Sequence, residues 1–344
     1  MENIELLKTV FLLVVFFIFN KLCANYNFFS NNISISKHKN FVRKSHNVLI
    51  VGGFFLLFGN IIFQKKFFLD SKNLFYICLF CIGLLADIYK KFFPSIRLLL
   101  QTLIIFLFVK IFNLTIKDVR IDFFNIILSK ELISIIFTVF CITILINGSN
   151  FIDGVNLSAI SYYLLVFSAI LILSENNNLF IDKYFLKIQI FLLLTILVFN
   201  SINYVYLGDS GVYFVSFISS FVIIDFINNN SSVSPYLGVL LLWYPCFENL
   251  FSIIRRLSSS KKTYQSDNYH LHHLIYLFFL KKNVLYPSNF TGASIFFFNL
   301  IILFLGCRFY DKTTYLLFLI FTSIFIYCIC YFYFRKLLKK SNLD

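Results

Sequence analysis

Residues 132–156 read LISIIFTVFCITILINGSNFIDGVN. The run 132–146 carries no charge and has the apolar character of a helix at membrane depth. It passes without a spacer into Asn147, Gly148, Asn150, Asp153, Gly154 and Asn156. So many amides and glycines at a helix exit argue for irregular backbone built around a site. The segment therefore predicts a membrane helix with polar chemistry at one end.

The composition extends that reading to the whole chain. Of 344 residues 59% are hydrophobic, only 13% are charged and 49 are Phe, with a mean hydropathy of +0.83. A water-soluble domain could not hide so much apolar surface. The net charge of +14 is not gathered into a nucleic-acid-binding face, because Lys and Arg come in short groups between apolar runs. Membrane lipids, and no nucleic acid, are the expected surroundings. The eight Cys lie mostly within or beside apolar runs and read as buried thiols.

Apolar runs recur at 6–19, 48–63, 74–85, 98–112, 132–146, 157–173, 185–199, from 211 to about 227, from Pro235, at 295–305 and at 315–334. They predict an all-α, multi-pass integral membrane protein of about eleven transmembrane helices. The first run ends in Asn20-Lys21 rather than in small residues, so it reads as a retained helix, not a cleaved signal. The ninth holds Pro245 and Glu248, which predicts a helix broken at membrane depth. Residues 1–344 form a single polytopic domain in this reading, with a substrate-binding loop at 251–288.

An odd number of spans puts the termini on opposite sides. With the C-terminus cytoplasmic and the N-terminus outside, the cytoplasmic side receives 18 of the 30 Lys and Arg. The same side then receives every polar constellation of the chain, so the expected active site faces the cytoplasm. Those constellations are Lys44 and His46 in the first polar loop, Asp87, the 147–156 segment, and Leu207-Gly208-Asp209-Ser210-Gly211. The 251–288 loop adds Arg255-Arg256 and Asp267-Asn268-Tyr269-His270-Leu271-His272-His273. Glu248, acidic and near membrane depth, implies function or a fixed partner.

With these motifs in this order, the chain resembles the polyprenyl-phosphate N-acetylhexosamine-1-phosphate transferases over nearly its whole length. That superfamily includes the enzymes that start bacterial O-antigen and enterobacterial common antigen synthesis, the teichoic acid initiator and the phospho-MurNAc-pentapeptide transferase. Arg43-Lys44-Ser45-His46 followed by Gly52-Gly53 resembles the first motif, without the prolines expected between them. Gly83 to Asp87, with Pro94, Arg97 and Gln101, resembles the aspartate-pair segment, but Ala86-Asp87 stands where relatives have adjacent aspartates. Asn147, Asn150, Asp153-Gly154 and Asn156 match an Asn-rich motif, with Asn156 where many relatives have Asp. The Leu207–Gly211 and Asp267–His273 segments match the two remaining motifs, and His-x-His-His points to the branch that uses UDP-N-acetylhexosamines.

The resemblance implies transfer of N-acetylhexosamine-1-phosphate from a UDP-sugar to polyprenyl (undecaprenyl) phosphate in the bacterial cytoplasmic (inner) membrane. UMP is released, and a lipid diphosphate starts a cell-surface glycan such as lipopolysaccharide O-antigen. UDP-GlcNAc or a 6-deoxy relative is the implied donor. Two polyanions must meet, so Mg²⁺, or Mn²⁺ in its place, is the expected cofactor. Asp87 and Asp209 are the catalytic candidates, with Asp209 and Asp153 as candidate metal ligands. The substrate-binding candidates are Lys44, His46, Asn150, Asp153, Glu248, Arg255, Arg256, Asp267, His270, His272 and His273, with Asn147 and Asn156 holding the loop around them. A homodimer is compatible with this picture. Ala86 motivates a competing expectation, a noncatalytic relative that binds lipid phosphate or nucleotide; a small-solute transporter fits less well, because the polar motifs cluster at one face.

Overall fold

The computed structural model describes residues 2–26, 28–29, 48–64, 67–89, 92–258 and 269–339. In chain order it runs α1 (Glu2–Asn25), β1 (Leu49–Ile50), α2 (Gly52–Phe63), α3 (Ser71–Ile88), α4 (Pro94–Phe112), α5 (Asp122–Leu128), α6 (Glu131–Ile152) and α7 (Ser158–Asn176). It continues with α8 (Lys183–Ser201), β2 (Val205–Tyr206), α9 (Gly208–Asn229), α10 (Pro235–Leu241), α11 (Trp243–Ser258), α12 (Leu271–Lys281), α13 (Pro287–Arg308) and α14 (Thr313–Lys339). β1 and β2 form a short parallel pair, with Leu49 opposite Val205 and Ile50 opposite Tyr206.

Among the described residues nine helices are long and apolar enough to cross a membrane, or ten if α10 and α11 are one bent span. The sequence predicts about eleven, and with the bent pair counted as one span the difference lies in the 48–63 run. Its helix, α2, has 12 residues and rises about 18 Å, short of the ~30 Å hydrocarbon core. The run is apolar because α2 is packed inside the protein, against α1, α8 and α9, with Phe55, Leu56 and Phe63 buried. Length separates a lipid-spanning helix from a buried one; composition does not.

The centre of the bundle is α9, whose most apolar window is 83% buried, against 22% for α1 and α4. It packs on α2, α3, α6 and α7. Outer helices carry their apolar side chains outward, as Leu7, Val10, Phe11 and Val14 do on α1 and Phe318, Phe321, Phe325 and Ile329 on α14. A contiguous surface of that kind is untenable in water and suits hydrocarbon. Inside the bundle Gln189 of α8 donates to Asn60 of α2 at 2.6 Å, an interhelical bond of the sort that holds helices together in lipid.

The ninth run is broken as its prolines suggest, with α10 and α11 bent by 70° at Leu242. Pro245 lies in the first turn of α11, has no N–H to offer the Leu241 carbonyl four residues earlier, and clashes with it in a continuous helix. A helix start tolerates what a helix interior does not, so the chain ends one helix and begins another.

Candidate active site

The site is assembled where the last turns of α3 and α6 meet the first turns of α4, α9 and α12. Its keystone is the start of α9. No side chain of its own segment caps this helix, and Asp87, in the last turn of α3, does so from outside. Its Oδ1 accepts the Asp209 N–H at 2.9 Å and its Oδ2 accepts the Ser210 N–H at 3.0 Å. A carboxylate on the exposed amides of a helix N-terminus satisfies orphan donors and meets the positive end of the dipole. Two glycines make the approach possible. A Cβ on Gly83 would lie 2.6 Å from the Asp209 carbonyl oxygen, and Gly208 holds φ +77°, in the left-handed region, with its absent Cβ directed at Ile50 and Asp87.

This capping fixes Asp209, whose side chain is 15% exposed. Its Oδ2 accepts from Arg97 Nη1 at 3.1 Å and from Asn150 Nδ2 at 3.3 Å. Arg97 comes from the first turn of α4, begun by Pro94, and its guanidinium also lies 6.0 Å from the Tyr213 ring. One turn further along α4, buried Gln101 accepts from Asn147 at 3.3 Å. Three helices thus converge on one carboxylate, supplying a cation and an amide beside it.

The last turn of α6 carries the arrangement onward. Asp153 sits at its C-cap and is buried, and the next residue, Gly154, leaves room for two imidazoles. A Cβ there would lie 2.9 Å from Nε2 of His273 and closer still to His272. The two rings are 4.2 Å apart in the first turn of α12. His270, at the N-cap of α12, lies 4.9 Å from the Phe151 ring and 5.6 Å from His272, stacked on it. Arg256 lies 5.5 Å from the same Phe151 ring. Arg255 turns elsewhere, towards Phe251 and Tyr331 at 5.6 and 5.5 Å, with a 3.3 Å bond to Ser252.

Asn156 and Glu248 are engaged with other parts of the protein, Asn156 as the loop holder expected of it and Glu248 in place of the substrate contact expected of it. Asn156 ties three segments together: its Nδ2 donates to Asn203 at 2.6 Å and to Asn289 at 2.8 Å, and its N–H donates to Ser288 at 2.8 Å. Glu248 is fully buried in α11, where Oε1 pairs with Nδ1 of His270 at 2.9 Å and Oε2 accepts from Tyr327 at 2.6 Å. A carboxylate with both oxygens so committed acts on its partners rather than on a ligand. Lys44, His46 and Asp267 lie outside the described residues. Phe151, Tyr213 and Tyr327 join the site without having been foreseen. Phe151 sits inside the Asn-rich segment, but the two tyrosines stand in apolar runs among many aromatics, where no spacing marks them.

Among the described residues no three His, Cys, Asp or Glu side chains gather into a ready-made metal cage. Magnesium does not require one, since it takes one or two carboxylates and fills its shell with water and substrate phosphate. Asp209, partly exposed at the junction of three helices, fits that mode of binding.

Residues 72–227 match the family model described as Glycosyl transferase family 4. The matched stretch contains Asp87, Arg97, Asn150, Asp153 and Asp209, and ends before Glu248 and the histidines. No curated protein matches the chain. The match supports a transferase activity in general, housed in a multi-pass bundle.

Proposed function

We propose that the chain transfers N-acetylhexosamine-1-phosphate from a UDP-sugar to polyprenyl phosphate in a bacterial cytoplasmic membrane, with the site on the cytoplasmic side. The observation that carries this reading is the meeting of Asp209, Arg97 and Asn150 at one set of helix ends, within a stretch that matches a glycosyl transferase family. An oxygen of the lipid phosphate attacks the sugar-bearing phosphorus of the donor. The bond between that phosphorus and the bridging oxygen breaks, UMP leaves with the electron pair, and a lipid diphosphate remains.

The protein's part is to bring two anions together and to meet the charge that develops on the leaving phosphate. Arg97 supplies a fixed cation, and the imidazoles of His272 and His273, beside His270, supply donors suited to phosphate oxygens. Asn150 orients the Asp209 carboxylate, and Arg256 brings further positive charge to the histidine cluster through Phe151. Asp209, with Asp153 as the second candidate, would hold magnesium, which when bound neutralises phosphate charge and polarises the reacting phosphorus.

The test is an assay of purified protein with undecaprenyl phosphate and a panel of UDP-HexNAc donors. UMP and lipid diphosphate are the expected products, formed only with Mg²⁺ or Mn²⁺. No product from folded protein with any donor overturns the proposal, and retained ligand binding without turnover would instead favour a noncatalytic binding protein. Comparing kcat/KM for UDP-GlcNAc and a 6-deoxy donor then identifies the sugar, since a missing hydroxyl is read by local pocket contacts.

A further inference from the structure

The buried chain Tyr327–Glu248–His270 crosses three helices, with Tyr327 from α14, Glu248 from α11 and His270 at the start of α12. All three side chains are nearly or fully inaccessible, at 1%, 0% and 1% exposure. The hydroxyl donates to Glu248 Oε2 at 2.6 Å, and Glu248 Oε1 faces His270 Nδ1 at 2.9 Å. An ionised Glu248 can only accept, and in that state the imidazole carries its proton on Nδ1. In that arrangement the bond selects one tautomer and sets the plane of the ring.

That plane is held from other sides as well. Phe151 lies 4.9 Å from the His270 ring, and His272 stacks on it at 5.6 Å with an interplanar angle of 13°. A tie between helices alone would not need a carboxylate, since placing one in a dry, lipid-surrounded interior is costly. We infer that Glu248 and Tyr327 are positioning residues for the transfer reaction, which fix His270 with its proton on Nδ1 and leave Nε2 as an acceptor for a protonated phosphate oxygen of the substrates.

The inference rests on the proposed transferase reading, and its test separates the two. ¹⁵N-histidine labelling of the purified full chain in detergent, with the His270 signal identified by its loss in His270→Gln, reports the tautomer without any turnover. Proton on Nδ1 in the natural chain is expected, and a changed ring signature in Glu248→Gln, which offers one acceptor oxygen where the carboxylate has two. A proton on Nε2 instead, or an unchanged signature in folded Glu248→Gln, overturns the inference whatever the chain catalyses.

Kinetics supply the second arm. Per folded molecule, Glu248→Gln should lower kcat by about 10- to 100-fold, as for outer partners of functional histidines, with KM moving less than about threefold. Glu248→Asp should recover part of that loss, and Tyr327→Phe should lower the same parameter by a smaller factor. If Glu248→Gln does not fold, Tyr327→Phe decides: natural kcat in that variant, or a loss confined to the yield of folded protein, overturns the inference. A natural chain that turns over no donor refutes the transferase reading, and the tautomer still decides whether Glu248 sets the ring.

Discussion

The Tyr162 hydroxyl donates to the Leu241 carbonyl at 2.8 Å, and that carbonyl is the one Pro245 leaves without a helical partner. The same hydroxyl accepts the Tyr244 N–H at 3.4 Å, so one side chain of α7 bridges both edges of the break between α10 and α11. Tyr162 is buried. Tyr162→Phe removes a hydroxyl that serves two backbone groups and should destabilise the fold by about 1–3 kcal/mol. The check is the thermal denaturation midpoint in detergent, which should fall while turnover per folded molecule is kept. An unchanged midpoint would mean that the bend is held by packing alone.

Asp87 and Asp209 touch through the start of α9, yet their geometry predicts different losses. Asp87→Asn keeps one acceptor oxygen for two N–H donors and turns an amide N–H₂ towards a backbone donor. Both stability and turnover should fall, the former by about 1–3 kcal/mol as for other buried bonds broken on one side. Denaturation and the transferase assay on the same preparation check this. Natural stability in Asp87→Asn would show that the cap contributes little to the fold.

The run of apolar segments with polar breaks was legible because each break coincides with a helix end, and the sequence shows where hydrocarbon-compatible residues stop. The helix count was less so: α2 is as apolar as its lipid-facing neighbours, and only its 12-residue length in the fold reveals that protein surrounds it. At the site, Asp209, Asn150 and the histidines stand out as polar residues at helix exits. The partners that fix them do not. Asp87 caps a helix 122 residues away in sequence, and Tyr327 reaches Glu248 across 79; such pairings depend on how helices pack, which local pattern does not encode.

Two glycines test the close approaches. A Cβ at Gly83 would meet the Cα of Ser210 at 2.5 Å and the carbonyl of Asp209 at 2.6 Å, backbone atoms that cannot yield. At Gly154 it would meet the tips of the His272 and His273 rings, which can turn aside. Gly83→Ala should therefore lower stability by about 1–3 kcal/mol, the range for overpacking, and abolish turnover. Gly154→Ala should leave the denaturation midpoint near natural and reduce turnover by displacing the histidines. Equal stability of the two variants would contradict the packing assigned to α3 against α9.

The last prediction concerns charge at the junction. Asp209→Asn keeps an oxygen able to accept from Arg97 and Asn150, so the fold should survive. It removes the anion proposed to hold the cation, and turnover should fall by roughly two to three orders of magnitude, as when a single electrostatic contact to a reacting group is lost. Excess Mg²⁺ should not restore it. Ala86→Asp returns a second carboxylate beside Asp87, whose oxygens are already occupied by the amides of Asp209 and Ser210. The new charge would repel Asp87 and both phosphorylated substrates, so turnover should stay within about threefold of the natural chain. Kinetics of the two variants at several Mg²⁺ concentrations provide the check. Near-natural turnover in folded Asp209→Asn would remove the metal role from that residue, and a gain well beyond tenfold in Ala86→Asp would mean that the alanine holds this chain's activity down.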